Sequence, residues 1–355
     1  MTTTIARRRV EEALLPPLVA LLVALVVGDI LIILVGQSPS AVFRLMLSGT
    51  WGNWYGFGQV LYKATTLICT GLAVSVALRA GLFNIGGEGQ LAAGGFAAAV
   101  MGLALPAGTP GFVAIPVCIA AALAAGGLVG AIPGVMKARF GAHEVIVTIM
   151  LNFIVLAFLN WIVASHLHVP ETLHTPEMRA GTVGRLMEWV SPFHGSAVNA
   201  SLFIAIIAAA LVGWMLFRTR AGYELRAVGL QPDAAEYGGV RVGTVWIRTF
   251  LISGALAGLG GINYVLGYKH YYEEGFGGGA GFLGIAVALV GRNHPLGVII
   301  AAFLFATLSQ GGLAIHALVP KQMVEVLQGV VILAVAAAVP EVRRLVRGAR
   351  GGVAE

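Results

Sequence analysis

The sequence predicts an all-α integral membrane protein of about ten transmembrane helices. Three observations carry this. Only 11% of the 355 residues are charged and 58% are hydrophobic, with a mean hydropathy of +0.89, whereas soluble domains carry about 25% charge. Apolar stretches of roughly 18 to 25 residues recur along the whole chain, each long enough to cross about 30 Å of hydrocarbon as a helix. Basic residues sit at the ends of these stretches, where they set orientation, so the net charge of +6 reads as topology and not as a nucleic-acid surface.

The expected spans are Leu14–Val35, Val60–Leu78, Leu82–Leu105, Phe112–Met136, Val145–Ser165, Ser201–Phe217, Val245–Leu266, Gly281–Gly291 (short), Leu296–Ile315 and Met323–Val339. Arg7, Arg8 and Arg9 precede the first of them, but its apolar run is too long for a secretory signal and no small-residue cleavage site follows, so it is expected to be retained. Threading the chain from a cytoplasmic N-terminus leaves sixteen of the 22 Lys and Arg inside and only Arg44, Lys63, Arg179, Arg185, Lys269 and Lys321 outside. This asymmetry places both termini in the cytoplasm.

The whole chain, 1–355, is thus expected to be a single transmembrane domain. It divides into a leading helix (14–35), a four-helix group (60–165), a linking helix (201–217), a cytoplasmic loop (218–244), a second four-helix group (245–339) and a cytoplasmic tail (340–355). An odd number of crossings separates the two groups, so corresponding helices run oppositely, as in an inverted repeat. In each group the second helix opens at a glycine-rich break, Gly81 to Gly89 and Gly275 to Gly281. Paired breaks of this kind point to a transport site, although glycine also lets helices approach closely.

Polar residues at membrane depth are the candidate pathway groups. Asn84, Glu88 and Gln90 follow the first break, and a bare carboxylate in hydrocarbon is costly. Glu88 therefore either faces a route or caps a helix start. Glu144, Thr148 and Asn152 are spaced by four along one helix face, with Asn160 farther on, and Asn263, Tyr264 and Asp29 pose the same choice between solute contact and helix glue. The loop from Gly222 to Val240 reads as two short helices, interrupted at Gly229–Pro232 and ended by Gly238-Gly239, with Asp233 early in the second. Its small Ala234 and Ala235, together with Glu224 and Arg226, offer a surface that a cytoplasmic partner can hold.

Catalytic chemistry finds no residues. The four lysines are followed by Ala64, Ala138, His270 and Gln322, so the Lys-Ser/Thr of a phosphate-binding loop is missing. Cys69 and Cys118 lie in apolar runs, and His166, His168 and His174 lack completing ligands, so no metal site is expected.

Four runs then carry a family resemblance: Gly81 to Gln90, Ala142-His-Glu-Val-Ile-Val-Thr-Ile-Met-Leu-Asn152, Leu225-Arg-Ala-Val-Gly-Leu-Gln-Pro-Asp-Ala-Ala235, and Gly284-Ile-Ala-Val-Ala-Leu-Val-Gly-Arg-Asn-His-Pro-Leu-Gly297. Together they resemble ABC importer permeases of the branched-chain amino acid, ribose and nucleoside superfamily, nearest the nucleoside (simple sugar) branch. The resemblance implies a type II-like permease fold that moves nucleosides or ribose-like sugars across the bacterial inner membrane. It implies no cofactor in this chain, with ATP and Mg on a separate ATPase docked at Glu224 to Ala235. A second, related permease and an extracytoplasmic binding lipoprotein complete the implied assembly. The reading from residues alone leaves an ion-coupled secondary transporter open.

Overall fold

The computed structural model describes residues 22–334 except 24, 321 and 331, and is helical throughout, with two isolated β-bridges and no strands among the described residues. Its helices are α1 Leu25–Leu34, α2 Pro39–Thr50, α3 Trp54–Arg79, α4 Gly87–Ala104, α5 Gly111–Phe140, α6 Glu144–Ile162, α7 Ser201–Arg218, α8 Arg220–Leu230, α9 Pro232–Tyr237, α10 Val242–Lys269, α11 Ala280–Val290, α12 Pro295–Ala314 and α13 Gln322–Ala334.

Six of these, α3, α5, α6, α7, α10 and α12, are long and apolar enough to cross a bilayer, and the bent pair α1–α2 makes a seventh candidate. The count of ten therefore remains an expectation. Gly87–Ala104 is 18 residues long but carries Glu88, Gln90 and five glycines in place of bulky apolar side chains. The start of the expected first span lies outside the described residues, as does the end of the last.

The chain forms two compact units. One joins residues up to 53 with those from 307 onward. In it α1 and α2 meet at 113°, and Pro39 opens α2 at a position where a missing N–H costs nothing. Ile32, Val42 and Met46 pack there with Ile315, Val319 and Val324.

The larger unit spans Trp54–Ala306. Within their most apolar 18-residue stretches α3 and α10 are 83% and 78% buried, against 28% for α5 and 17% for α6. So α3 and α10 form the inner layer, and α5 and α6 turn apolar faces outward, as lipid-facing helices do. The α5–α10 contact is made by small residues: Gly126 and Gly130 on α5 meet Gly254 and Gly258 on α10, and Gly134, four residues on, meets the α10 backbone at Trp246 and Ile247. Backbone packs on backbone here, the arrangement that drives helix association where lipid removes the hydrophobic incentive.

The two ends of the helical bundle are finished differently. At one end the Arg79 Nε–H donates to Asn293 O (2.8 Å), bracing the turn after α11, in which Arg292 and Asn293 both have positive φ. At the other, α6 and α10 each finish in a π turn, Val163–Leu167 and Val265–Lys269, a widening of the helix found often at functional sites. Residues 168–200 then cross as an irregular linker with two short 3₁₀ turns.

Candidate functional site

The two glycine-rich breaks meet. The first runs between Arg79 and Gly87, the second between Lys269 and Ala280, and each delivers the N-terminus of a helix to the same place. A Cβ at Gly281 would stand 2.2 Å from the Glu88 N, and one at Gly87 would stand 3.0 Å from Gly281 O. Only glycine permits this approach.

Glu88 spans the junction. From the first turn of α4 its carboxylate accepts the Gly279 N–H at Oε1 (3.1 Å) and the Gly281 N–H at Oε2 (2.8 Å). The expected alternatives for this residue were a route group or a cap on its own helix, and its observed bonds are to the start of α11, some 190 residues away. The free N–H groups and positive dipole of a helix start favour such a carboxylate. The side chain stays partly accessible.

Around this junction the other sequence candidates are held by side-chain bonds. Asn84 donates to Gln90 Oε1 (2.9 Å) and Ser253 Oγ (2.8 Å), while its own Oδ1 accepts the Gly86 N–H (2.9 Å) and Gln90 Nε2 (3.2 Å). Ser253 passes the network on to Ala73 O (2.6 Å). Asn84, Gln90 and Ser253 are almost fully buried, so the trio pins the first break against α10 and α3. From α6, Asn152 Oδ1 accepts the Gly89 N–H (2.9 Å) and its Nδ2 donates to Ile85 O (2.8 Å), while Thr148 Oγ1 accepts the Ile85 N–H (3.3 Å). The regular spacing seen in the sequence thus places two polar residues on the backbone of the break. Glu144, first on the same face, pairs with Lys137 (2.7 Å).

Asn263 lies apart from this group. Its Nδ2 donates to Tyr62 O (2.9 Å) and Thr66 Oγ1 (3.0 Å), and its Oδ1 accepts from Asn199 (3.0 Å), fastening α10 to α3 and to the linker. Asp29 lies in the other unit, where its Oδ1 has no hydrogen-bond partner among the described residues.

Sequence reasoning did not anticipate the ring cluster beside the second break. Tyr62 meets Tyr268 (5.4 Å between centroids), Tyr268 meets Tyr264 (6.0 Å), Tyr264 meets Phe276 (5.0 Å), Phe276 meets Tyr272 (5.4 Å), and Tyr272 meets Phe96 (5.3 Å). Glu273 accepts from the Tyr264 hydroxyl and lies 4.0 Å from Lys269, and Asn160 donates to Glu274 (2.7 Å). Burial, reinforced by Glu274 and Glu88, raises the Tyr272 hydroxyl above the ordinary phenol range and keeps it protonated. A signal was available, since Tyr264, Tyr268, Tyr271 and Tyr272 crowd the nine residues before the glycines.

The loop after α7 forms the two helices expected, with the interruption at Gln231, so that Gly229 ends up inside α8. Thr219 Oγ1 caps α8 by accepting the Gly222 N–H (3.2 Å), and Asp233 occupies the first turn of α9. A Cβ at Gly229 would meet Arg79 O at 2.1 Å, so α8 rests directly on the end of α3. Glu224 pairs with Arg220 (2.8 Å), and Arg226 lies over Phe217 (5.6 Å). Ala235 turns inward, whereas Asp233 and Ala234 are exposed, next to Leu230 at 86% and Tyr237 at 98% exposure. An exposed apolar patch of this kind on a loop marks an interaction surface.

Comparison with known proteins agrees with this architecture. The family model described as branched-chain amino acid transport system / permease component matches residues 56–336. The guanosine ABC transporter permease protein NupP of Bacillus subtilis is 38% identical over 328 residues, covering 91% of this chain and 93% of that protein. The nucleoside ABC transporter permease protein NupB of Lactococcus lactis is 33% identical (91% and 90%), and the glucose ABC transporter permease protein TsgB13 of Haloferax volcanii 31% (89% and 85%). No solved structure matches the chain. A match over most of the chain, on a helical membrane fold, decides against the ion-coupled alternative: this protein belongs to the branched-chain amino acid transport system / permease component family, as a multi-pass permease of an ABC importer.

Proposed function

We propose that the chain translocates nucleosides across the cytoplasmic membrane of a bacterium. The observation that carries the solute class is the extended similarity to permeases named for guanosine and nucleosides, at 38% and 33% identity over nine-tenths of the chain. The ring cluster from Tyr62 to Phe96 supports it, because half-buried aromatic faces stack on a planar base, and Glu273, Glu274 and Lys269 beside them suit ribose hydroxyls. The solute passes next to the junction held by Glu88, with Asn84, Gln90 and Asn152 shaping that wall from behind and Asn263 fixing α10 against Tyr62 of the ring cluster. With the complete transporter in vesicles, uptake of labelled guanosine is expected to exceed uptake of glucose or ribose at least about tenfold. Sugar uptake without nucleoside uptake would replace this reading with the sugar alternative.

An ABC permease works with an ATPase and a substrate-binding partner. In the proposed assembly ATP and Mg are bound and hydrolysed on the ATPase, a related second permease completes the route, a lipoprotein delivers the solute, and both termini lie in the cytoplasm. The α8–α9 pair is the proposed ATPase dock, through Ala234, Asp233 and the exposed Leu230 and Tyr237, with Glu224, Arg226, Gly229 and Ala235 holding its shape. Cysteines at Ala234 and Tyr237 are expected to cross-link to the ATPase, and Ala234→Trp to cut uptake several-fold at an unchanged permease level. Labelling of those cysteines only from the extracytoplasmic side would overturn both the dock and the orientation.

A further inference from the structure

Between α8 and the first two turns of α10 the structure forms a half-open polar cavity of about 420 Å³, lined among others by Glu224, Thr244 and the exposed Arg220, Arg241 and Arg248. Arg220 is engaged by Glu224 (2.8 Å). The guanidinium groups of Arg241 and Arg248 have no hydrogen-bond or ion-pair partner among the described residues. With Thr244 they sit at positions i, i+3 and i+7, along one face of α10, and Arg241 is the residue preceding its first turn.

The charges lining it are one-sided. Three guanidinium groups face one carboxylate, and the positive end of the α10 dipole and its free N–H groups add to the same sign. Cations are stabilising at the other end of a helix, not at this one. An anion with several acceptor oxygens reverses the balance, since guanidinium forks pair with phosphate oxygens in two-point fashion and Thr244 offers a hydroxyl donor. The volume leaves room beyond a phosphate for the group esterified to it.

We propose that this cavity binds a phosphate ester, held by Arg241 and Arg248 with Thr244 and the α10 start, and with Arg220 released in part from Glu224. The bound anion ties α8, one half of the exposed two-helix loop, to α10, whose Ser253 lies five residues beyond Arg248 and holds Asn84. Occupancy therefore stiffens the connection between the loop and the first break. Two sources supply the chemistry: the headgroup of an anionic phospholipid in the adjoining leaflet, where basic pockets at helix ends take such lipids, or a soluble phosphate ester.

The test uses the full-length permease in zwitterionic nanodiscs, melted with added phosphatidylglycerol or with glycerol 3-phosphate. Ligand binding to the folded state is expected to raise Tm by on the order of 2–4 °C. The shift should be lost in R241Q/R248Q, reduced in R241K/R248K, and retained in R218Q, which removes an exposed arginine outside the cavity. A cavity-dependent shift with the lipid alone assigns the headgroup, and one with glycerol 3-phosphate assigns the soluble ester. No shift with either, or an equal loss in R218Q, overturns the proposal. So does a double variant that loses its ATPase while responding to both probes like the parent, because the arginines would then serve a protein contact.

Discussion

Gly254→Val is expected to leave almost no folded permease in the membrane. A Cβ at this position would lie 2.3 Å from Gly126 O and 2.8 Å from Gly130 Cα, and both obstacles are backbone atoms that no rotamer change can move. The valine methyls extend the clash, so α5 and α10 must separate along the contact that joins the lipid-facing layer to the inner one. Overpacking a well-packed site costs about 1–3 kcal/mol, and more where nothing yields. Gly126→Val should fail in the same way, since a Cβ there would meet Gly254 O at 2.4 Å. Gly213→Ala is the control, because its nearest neighbour beyond α7 is 3.7 Å away, and it should express and purify normally. Membrane level and elution as a single species are the measurements. A monodisperse, active Gly254→Val protein would show that the small-residue contact does not organise the fold.

Glu88→Ala is expected to lower solute uptake at least about tenfold at equal membrane levels of protein, with a lower Tm. The substitution strips the acceptor from the Gly279 and Gly281 N–H groups, and each donor left without a partner costs roughly 1–3 kcal/mol. Glu88→Gln separates charge from hydrogen bonding: its amide oxygen can accept one N–H, while its NH₂ faces the other donor, so an intermediate uptake is expected. Normal uptake by Glu88→Ala would show that the junction is not needed for transport. A fall in Tm with uptake intact would assign the residue to stability alone.

Much of the fold was legible because a bilayer imposes a length and a polarity on each crossing. The expected spans beginning at Val60, Phe112, Val145, Ser201 and Leu296 all fall on observed helices, with ends shifted by a few residues. The helix expected from Leu82 begins instead at Gly87, because Asn84, Thr148 and Asn152 hold Leu82–Gly86 in a non-helical path. Pro39–Thr50 was not foreseen, since a twelve-residue helix carrying Arg44 and two serines has too little apolar length to register.

At the site, composition indicated which residues were polar at membrane depth but not what they touch. Asn152 was expected to share a face with Thr148, and it does; that both would bond to the backbone of a break 63 residues earlier depends on packing that periodicity does not encode. The Glu88 bond to α11 is farther still from any local pattern. Two glycine clusters could be paired by position in the sequence, yet only three-dimensional proximity shows that one supplies the acceptor for the other's donors.

That bond has a mechanical consequence. An access change in which α11 slides past α4 must either stretch both N–H···O contacts of Glu88 or carry the two breaks together as one rigid piece. Gly87 and Gly281, in backbone contact, leave no slack for sliding. Motion in this permease is thus expected to be a rotation about that point, small at the carboxylate and largest at the far ends of α4 and α11, with Glu88 acting as the axle of the rocker.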